Sequence, residues 1–305
     1  MDKSLNQFFA QRSQESLAAS FHEGPVDAET VVFLSSPCDR GVQLNGGRLG
    51  ARWAPPVLLN SFKRLARPAG PESQQRLHHQ SFSVREPTGP LEDLQQAQSA
   101  WLERFVGRSP VLHLGGGHDH VLPLLQALGP APVCVLNVDA HLDTRTDDWA
   151  HSGNPFRCFA QSKGAAFRLY QFGIHPFANT ASTQSTLPRG ARMDVISRDD
   201  CESSALVRQR LLQLEAQLRE GEIVVFSLDC DALSAGEVRA VSAPNHRGLT
   251  VEFVRQLVSF YLDLTRRRGQ KPVFGIYEFN PLYDDSAGSG ARVIAGLMYQ
   301  MVFDR

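Results

Sequence analysis

Short apolar segments alternate with amphipathic segments along nearly the whole chain, and no other feature limits the possible folds as strongly. Between the apolar segments, hydrophobic residues recur every three or four positions, as they do in helices that pack on a sheet. Strands that alternate with helices form mainly parallel sheets, because a crossover helix returns the chain to the starting edge. The predicted strands lie at 29–37, 110–114, 132–138, 167–174, 192–197, 222–228 and 272–279.

Three helices are marked clearly by their ends. The segment 250–268 begins at Thr250, a residue that caps helices well, and stops before Gly269. The segments 202–220 and 91–105 have the same apolar periodicity. The polar segment 67–90 is rich in Pro and Gly and is predicted to be a loop with one short strand at most. A final helix is expected after another loop at 283–290.

The bulk composition suits one folded unit. A chain of 305 residues with 42% hydrophobic content can bury a substantial core. We predict a single α/β domain over residues 1–305, in which residues 1–28 form an N-terminal extension or helix.

Charge and cysteine content narrow the possible partners and location. The chain has 31 basic and 32 acidic residues and no long run of either sign, which argues against nucleic-acid or membrane binding and favours small-molecule partners. Its five cysteines are scattered without CxxC spacing, so neither a disulfide framework nor a zinc ribbon is expected. The N-terminus does not resemble a signal peptide, and no apolar run could cross a bilayer. These observations predict a soluble, cytoplasmic protein.

Four of the predicted strands end in residues that can bind metal ions or protons. The strand at 110–114 runs into GGGHDH, and the strand at 132–138 runs into DAHLD. The carboxyl ends of parallel strands lie at one edge of a sheet, where ligands usually bind. Alternate spacing in an extended chain would place the side chains of each acidic motif on one side. The candidates from the four strands are His118, Asp139, His141, Asp143, Asp229, Asp231 and Glu278.

Such a cluster of carboxylates predicts a metal site. Four carboxylates close together repel one another, and two divalent cations would neutralise them. Oxygen-rich ligands with two imidazoles and no thiolate favour Mn²⁺, although Fe²⁺, Co²⁺, Ni²⁺ and Zn²⁺ remain open.

Each motif alone also has a simpler explanation. DAHLD could be a solvated turn after a strand. The glycines before His118 could provide a turn with positive φ, in which case His118 would have no role. His120, two residues further on, could support the site without binding metal.

Four motifs follow one another along the chain: GGGHD at 115–119, DAHLD at 139–143, SLDCD at 227–231 and YEFNP at 277–281. Taken together, they resemble those of the ureohydrolase family, which includes arginase, agmatinase and formiminoglutamase. The resemblance implies a three-layer α/β/α fold with a central parallel sheet, two Mn²⁺ per subunit and possible homo-oligomers. It also implies that one ion is held by His118, Asp139, Asp143 and Asp229. The second would be held by Asp139, His141, Asp229 and Asp231.

The same resemblance implies a mechanism. A hydroxide that bridges the two ions would attack the carbon of an amidine or guanidine. Glu278 would pair with the cationic C–N group of the substrate. The departing amine must receive a proton, and Asp143 and His151 are the candidate carriers.

Within the family, the details are most similar to formiminoglutamases. These details are GGGHD, HSGNPFR at 151–157, VSAP at 241–244 and Arg145 after the second motif. In addition, Ser152 stands where an alignment on Gly153 would place a histidine of arginases. We therefore predict hydrolysis of N-formimino-L-glutamate to glutamate and formamide, a step of histidine degradation. The substrate carboxylates would contact Arg145, Asn154 and Arg157.

Three alternatives remain open from the sequence. A guanidino hydrolase acting on arginine, agmatine or a guanidino acid would release urea. A deacetylase-like enzyme would need only one metal ion. A non-catalytic protein could keep the cluster to hold its core together or to sense metal.

Overall fold

The computed structural model describes residues 12–83, 89–181, 183 and 186–304. Its centre is an eight-stranded sheet in the order β2-β1-β3-β8-β7-β4-β5-β6, in which every neighbouring pair is parallel. The strands are β1 Val31–Ser36, β2 Leu77–Ser81, β3 Val111–Gly115, β4 Val133–Val138, β5 Phe167–Ile174, β6 Arg192–Ser197, β7 Ile223–Asp229 and β8 Val273–Tyr277.

Helices cover both faces of the sheet. Successive residues of a strand point to opposite faces, so Val31 and Phe33 of β1 join one apolar cluster and Val32 and Leu34 join the other. The α-helices are α1 Arg40–Leu44, α2 Ala54–Lys63, α3 Leu91–Leu102, α4 Val121–Gln126, α5 Pro155–Lys163, α6 Ser204–Gln217, α7 Val251–Arg267 and α8 Ser289–Phe303.

The two apolar clusters define three layers. Residues of α2, α6, α7 and α8 pack into the first cluster, and residues of α3, α4 and α5 pack into the second. The prediction of a three-layer α/β/α fold with a mainly parallel sheet is therefore confirmed.

The predicted strands and helices are present, with small shifts at their ends. β2 is the short strand allowed within 67–90. α6 ends at Gln217, three residues before the predicted end, because the backbone of Leu218 is extended, with φ −64° and ψ 131°. Val207 and Leu214 are the buried residues of this helix, whereas Leu211 is only partly buried.

The predicted N-terminal segment 1–28 is only partly described. Residues 1–11 lie outside the described residues, residues 12–15 are helical, and Leu17–Ser20 form a 3₁₀ turn. Leu17 is completely buried in the first apolar cluster. This part of the segment therefore packs on the core. Among the described residues, no helix is both long and apolar enough to span a membrane, and all five cysteines are free thiols.

Candidate metal centre

The four strands that end in candidate ligands are neighbours in the middle of the sheet. They follow one another in the order β3, β8, β7, β4. His118 begins a 3₁₀ turn shortly after β3, Asp139 directly follows β4, Asp229 is the last residue of β7, and Glu278 directly follows β8. Parallel pairing places these strand ends at one edge, which is why residues distant in sequence meet there.

The two acidic motifs use the same local turn. Oδ1 of Asp139 accepts a hydrogen bond from the backbone N–H of His141 at 2.7 Å, and Oδ1 of Asp229 accepts one from the N–H of Asp231 at 2.9 Å. In each pair the first carboxylate fixes the backbone two residues further on.

This geometry corrects the expectation of extended chain through the motif. β4 ends at Val138, and the chain bends immediately afterwards. Side-chain hydrogen bonds within the turn, rather than the alternation of a strand, bring Asp139 and His141 to the same site.

The candidate ligands form two overlapping groups. In the first, Nδ1 of His118 lies 3.1 Å from Oδ2 of Asp139, 2.8 Å from Oδ2 of Asp143 and 3.3 Å from Oδ2 of Asp229. In the second, Nδ1 of His141 lies 3.0 Å from Oδ2 of Asp231 and 3.7 Å from Oδ1 of Asp139. Asp139 belongs to both groups, whereas Asp229 lies with the first group only.

The donor atoms fit bound cations better than a network of hydrogen bonds. Nδ1 of His118 is buried beside three carboxylates, yet it has no hydrogen-bond partner of good geometry among the described residues. Its other nitrogen, Nε2, lies 2.9 Å from Oγ of Ser227. Within the same described part of the chain, Oδ1 of Asp231 is also buried without a hydrogen-bond partner. Buried polar atoms left in this way are ones that a bound cation would satisfy.

Electrostatics lead to the same conclusion. Burial, reinforced by the neighbouring carboxylates, raises the pKa of Asp229 well above its usual value and that of Asp143 to about 6. Burial also raises the pKa of Glu278 to about 8. The carboxylate of Asp231 is the main cause of the raised pKa of His141. The ionised cluster therefore needs positive charge, from protons or from metal ions.

Two site residues have a strained backbone. Asp143 has φ 51° and Glu278 has φ 60°, and Arg189 is the one other non-glycine residue with positive φ in the described ranges. Such conformations cost about 1–3 kcal/mol each and persist where surrounding structure holds them. The N–H of Glu278 donates to the carbonyl of Gly116 at 2.8 Å, which holds the turn after β8 against the loop after β3.

The glycines before His118 allow close packing. Gly115, Gly116 and Gly117 do not have positive φ, so the alternative based on a positive-φ turn is wrong. A Cβ on Gly116 would instead overlap the carbonyl oxygen of Cys38. The loop after β3 therefore needs glycine because it lies directly against the chain that follows β1.

A cavity of about 510 Å³ opens above the ligand groups. Its floor includes His141, Asp143, Asp229, Asp231 and Glu278. The walls come from loops after β1, β4, β5 and β7, and their polar members include Asn45, Arg145, Ser152, Asn179, Thr180, Thr183 and Ser242. Of the three predicted substrate-binding residues near the second motif, Arg145 is the one that lines this cavity.

Asn154 and Arg157 are not among the residues that line this cavity. Oδ1 of Asn154 accepts the N–H of His151 at 3.0 Å, and its amide nitrogen donates to the carbonyl of Trp149 at 2.8 Å. Nε of Arg157 donates to the carbonyl of Thr144 at 2.7 Å. Both side chains hold the loop between β4 and α5 in place.

His151, predicted as a proton carrier, also lies behind the cavity wall. It is buried, and its Nδ1 accepts the N–H of Gly153 at 3.0 Å. Its Nε2 lies 3.0 Å from Oδ2 of Asp147. Both ring nitrogens are therefore engaged within the loop.

Sequence reasoning missed three residues that position the ligands. Oδ1 of Asn179 accepts the N–H of Leu142 at 2.8 Å, which fixes the loop that carries Asp143. Ser227 contacts His118, and the ring of Tyr277 stacks on His118 with centroids 5.1 Å apart. The sequence signals that could have pointed to Asn179 and Ser227 were the polar loop after β5 and the Ser in SLDCD.

His120 lies behind the two groups of candidate ligands, as the sequence allowed. Its Nδ1 is 2.7 Å from Oε1 of Gln98, and its Nε2 is 3.0 Å from the carbonyl of Cys38. The same carbonyl accepts the N–H of Gly117. His120 therefore supports the loop that presents His118.

Comparisons with known proteins agree with this fold. The Arginase family profile matches residues 29–303. A formimidoylglutamase from Enterobacter sp. (strain 638) is 33% identical over 300 residues, which cover 96% of this chain and 91% of the relative. One from Salmonella agona (strain SL483) is 33% identical over 281 residues, which cover 90% and 85%.

Solved structures have the same architecture. Trypanosoma cruzi formiminoglutamase with Mn²⁺ superposes with a TM-score of 0.78 at 21% identity, covering 95% of this chain and 98% of that one. Formimidoylglutamase from Bacillus subtilis has a TM-score of 0.79 at 17% identity, with 94% and 91% covered.

The fold and the site thus define a hydrolase. The chain belongs to the Arginase family. Its resemblance to the formiminoglutamases of that family is confirmed by relatives that match over nearly their whole length.

Proposed function

We propose that this protein hydrolyses N-formimino-L-glutamate to L-glutamate and formamide. The observation that carries the proposal is the distribution of charge in one cavity, which has Glu278 in its floor and Arg145 in its wall. A cationic formimino group fits the acidic floor, and a carboxylate fits the guanidinium of Arg145. The formimidoylglutamase relatives, which match at 33% identity over most of the chain, support the same substrate.

The proposed cofactor is a pair of Mn²⁺ ions. His118, Asp139, Asp143 and Asp229 would hold one ion, and Asp139, His141 and Asp231 would hold the other, with Asp229 as a further ligand from the first group. When bound, the two cations supply Lewis acidity and lower the pKa of a coordinated water. Relatives of this fold have been solved with Mn²⁺, which supports the choice of metal.

The protein's own residues would then orient the substrate and move protons. Oε1 of Glu278 is held by the N–H of His118, which leaves Oε2 for the cationic C–N group. Asp143 lines the cavity and is the proposed proton carrier to the departing amine. His151 is the weaker candidate for this role, because its two nitrogens contact Gly153 and Asp147.

A product assay tests the proposal. Purified protein loaded with Mn²⁺ is offered formiminoglutamate, arginine, agmatine and guanidino acids, and formamide and urea are measured separately. We expect formamide from formiminoglutamate and no urea from the guanidines. Urea as the main product would replace this substrate with a guanidine, and no turnover of any amidine would support a non-catalytic metal-binding protein.

The proposal also includes a cytoplasmic location and a possible homo-oligomer. Five free thiols suit a reducing compartment. Light scattering of the metal-loaded protein measures its oligomeric state.

A further inference from the structure

We propose that Asp147, oriented by His151, is a positioning residue that fixes Arg145 for a carboxylate of the substrate. The inference rests on the proposed function and adds two residues, Asp147 and His151, that do not line the cavity above the ligand groups. It also gives the buried His151 a role that its position allows.

Arg145 is held from two sides. Its Nε donates to Oδ2 of Asp147 at 2.7 Å, and its Nη1 donates to Oδ1 of Asn45 at 3.3 Å. Its stem lies against Gly153, where a Cβ would come within 3.0 Å of Cδ of Arg145. Nη2 has no hydrogen-bond partner among the described residues, so one corner of the guanidinium is open to a ligand in the cavity.

Asp147 is oriented in turn by His151. A backbone N–H can only donate, so the bond from Gly153 requires Nδ1 of His151 to be the acceptor. The proton of the neutral imidazole therefore lies on Nε2, which donates to Oδ2 of Asp147 at 3.0 Å. One carboxylate oxygen thus receives hydrogen bonds from both His151 and Arg145.

The charges of this group are consistent with the role. The hydrogen bond from Arg145 is the main cause of the lowered pKa of Asp147, and burial lowers the pKa of His151. Asp147 is thus an anion beside a neutral imidazole and a cationic guanidinium at neutral pH. Together these contacts hold the long, rotatable side chain of Arg145 in one position before the substrate binds.

Preorganisation of this kind acts on binding more than on chemistry. A free arginine loses side-chain entropy when it grips a carboxylate, and an arginine already held in place loses less. Asp147 also reduces the long-range attraction between Arg145 and an anion. We expect the gain from holding Arg145 in place to be larger, because a carboxylate can contact the open Nη2 of its guanidinium directly.

The experiment compares Asp147→Ala with the parent on formiminoglutamate. We expect KM to rise about tenfold while kcat stays within about twofold. Asp147→Asn retains an acceptor oxygen and should recover part of this loss. The matched control is Asp148→Asn, which changes the neighbouring exposed acid and should leave KM at the parent value.

A double variant separates positioning from a general structural effect. Arg145→Ala alone should raise KM, and adding Asp147→Ala should cause no further rise. Thermal unfolding of every variant shows whether folding is intact. An unchanged KM in Asp147→Ala would overturn the inference, and so would a rise in KM that is equal with and without Arg145. In either case the proposed function stands if the parent releases formamide from formiminoglutamate. A parent that releases no formamide from formiminoglutamate would overturn both.

Discussion

The backbone N–H of His118 donates a hydrogen bond of 2.9 Å to Oε1 of Glu278. This bond joins the loop after β3 to the turn after β8, so a proposed metal ligand and the proposed substrate carboxylate are fixed relative to each other. The positive φ of Glu278 and its own N–H bond to Gly116 are parts of the same connection.

The first prediction concerns that carboxylate. Glu278→Gln removes a carboxylate that a cationic substrate would keep ionised despite its raised pKa, but it keeps an oxygen that can accept the N–H of His118. We expect metal content and thermal stability to survive, and kcat on formiminoglutamate to fall about a hundredfold or more, because the cationic C–N group loses its partner. Glu103→Gln, at an exposed position, is the control. Unchanged turnover in Glu278→Gln would remove this residue from the mechanism.

Metal stoichiometry should follow the two ligand groups. Asp143 belongs to the first group, Asp231 to the second, and Asp139 to both. We expect elemental analysis after gel filtration to give two Mn²⁺ per chain in the parent and about one in Asp143→Asn or Asp231→Asn. Asp139→Asn should retain less than either.

The control for that series is Asp194→Asn, which lies at an exposed position of β6 and should retain both ions. One ion per chain in the parent would contradict the two-ion proposal. Equal metal content in Asp139→Asn and the parent would contradict the shared ligand.

The packing of the loop after β3 predicts a large loss of stability for Gly116→Ala. The added methyl group would overlap the carbonyl of Cys38, which belongs to rigid backbone. We expect the free energy of unfolding in urea to fall by about 3 kcal/mol or more. Gly296→Ala, at an exposed position of α8 with open space around it, should instead stabilise the protein by up to about 1 kcal/mol. Similar effects of the two changes would contradict this account.

The half-buried imidazole of His79, on the edge strand β2, predicts a pH dependence of stability. The pKa of His79 is lowered from 6.5 to about 4, mainly by burial and to a lesser extent by the charges of Lys63 and His78. Between these values the unfolded chain binds a proton that the folded protein does not bind, so this group destabilises the protein as pH falls from 6.5 to about 4.

His79→Gln should therefore make the loss of stability over that range less steep. Urea unfolding midpoints of the two proteins, measured at several pH values between 4 and 6.5, provide the comparison. Parallel curves would show that His79 does not contribute.

The periodicity of the sequence was sufficient for most of the fold. Buried parallel strands are continuous apolar runs, and α7 shows its apolar face and its Thr250 cap in the sequence itself. The end of α6 was harder to place, because Leu218 continues the apolar pattern although its backbone is already extended. Local periodicity does not reveal where tertiary packing ends a helix.

For the site, the residue types and their positions at strand ends were readable, but contacts across the loop after β4 were not. Asn154 and Arg157 have the right chemistry for a carboxylate, yet their hydrogen bonds go to backbone groups of their own loop and its neighbours. Asn179 and Ser227 support the candidate ligands from sequence positions that carry no motif of their own.

The sequence by itself determined which side chains could bind cations and which strands carry them, because strand ends and ligand chemistry are local properties. Tertiary structure alone decided that β8 and β7 lie between β3 and β4, so that His118 and Asp139 meet across the edge of the sheet. It also decided that Arg145 faces the cavity while His151 faces Asp147, because the path of a loop depends on hydrogen bonds between residues that no sequence period relates.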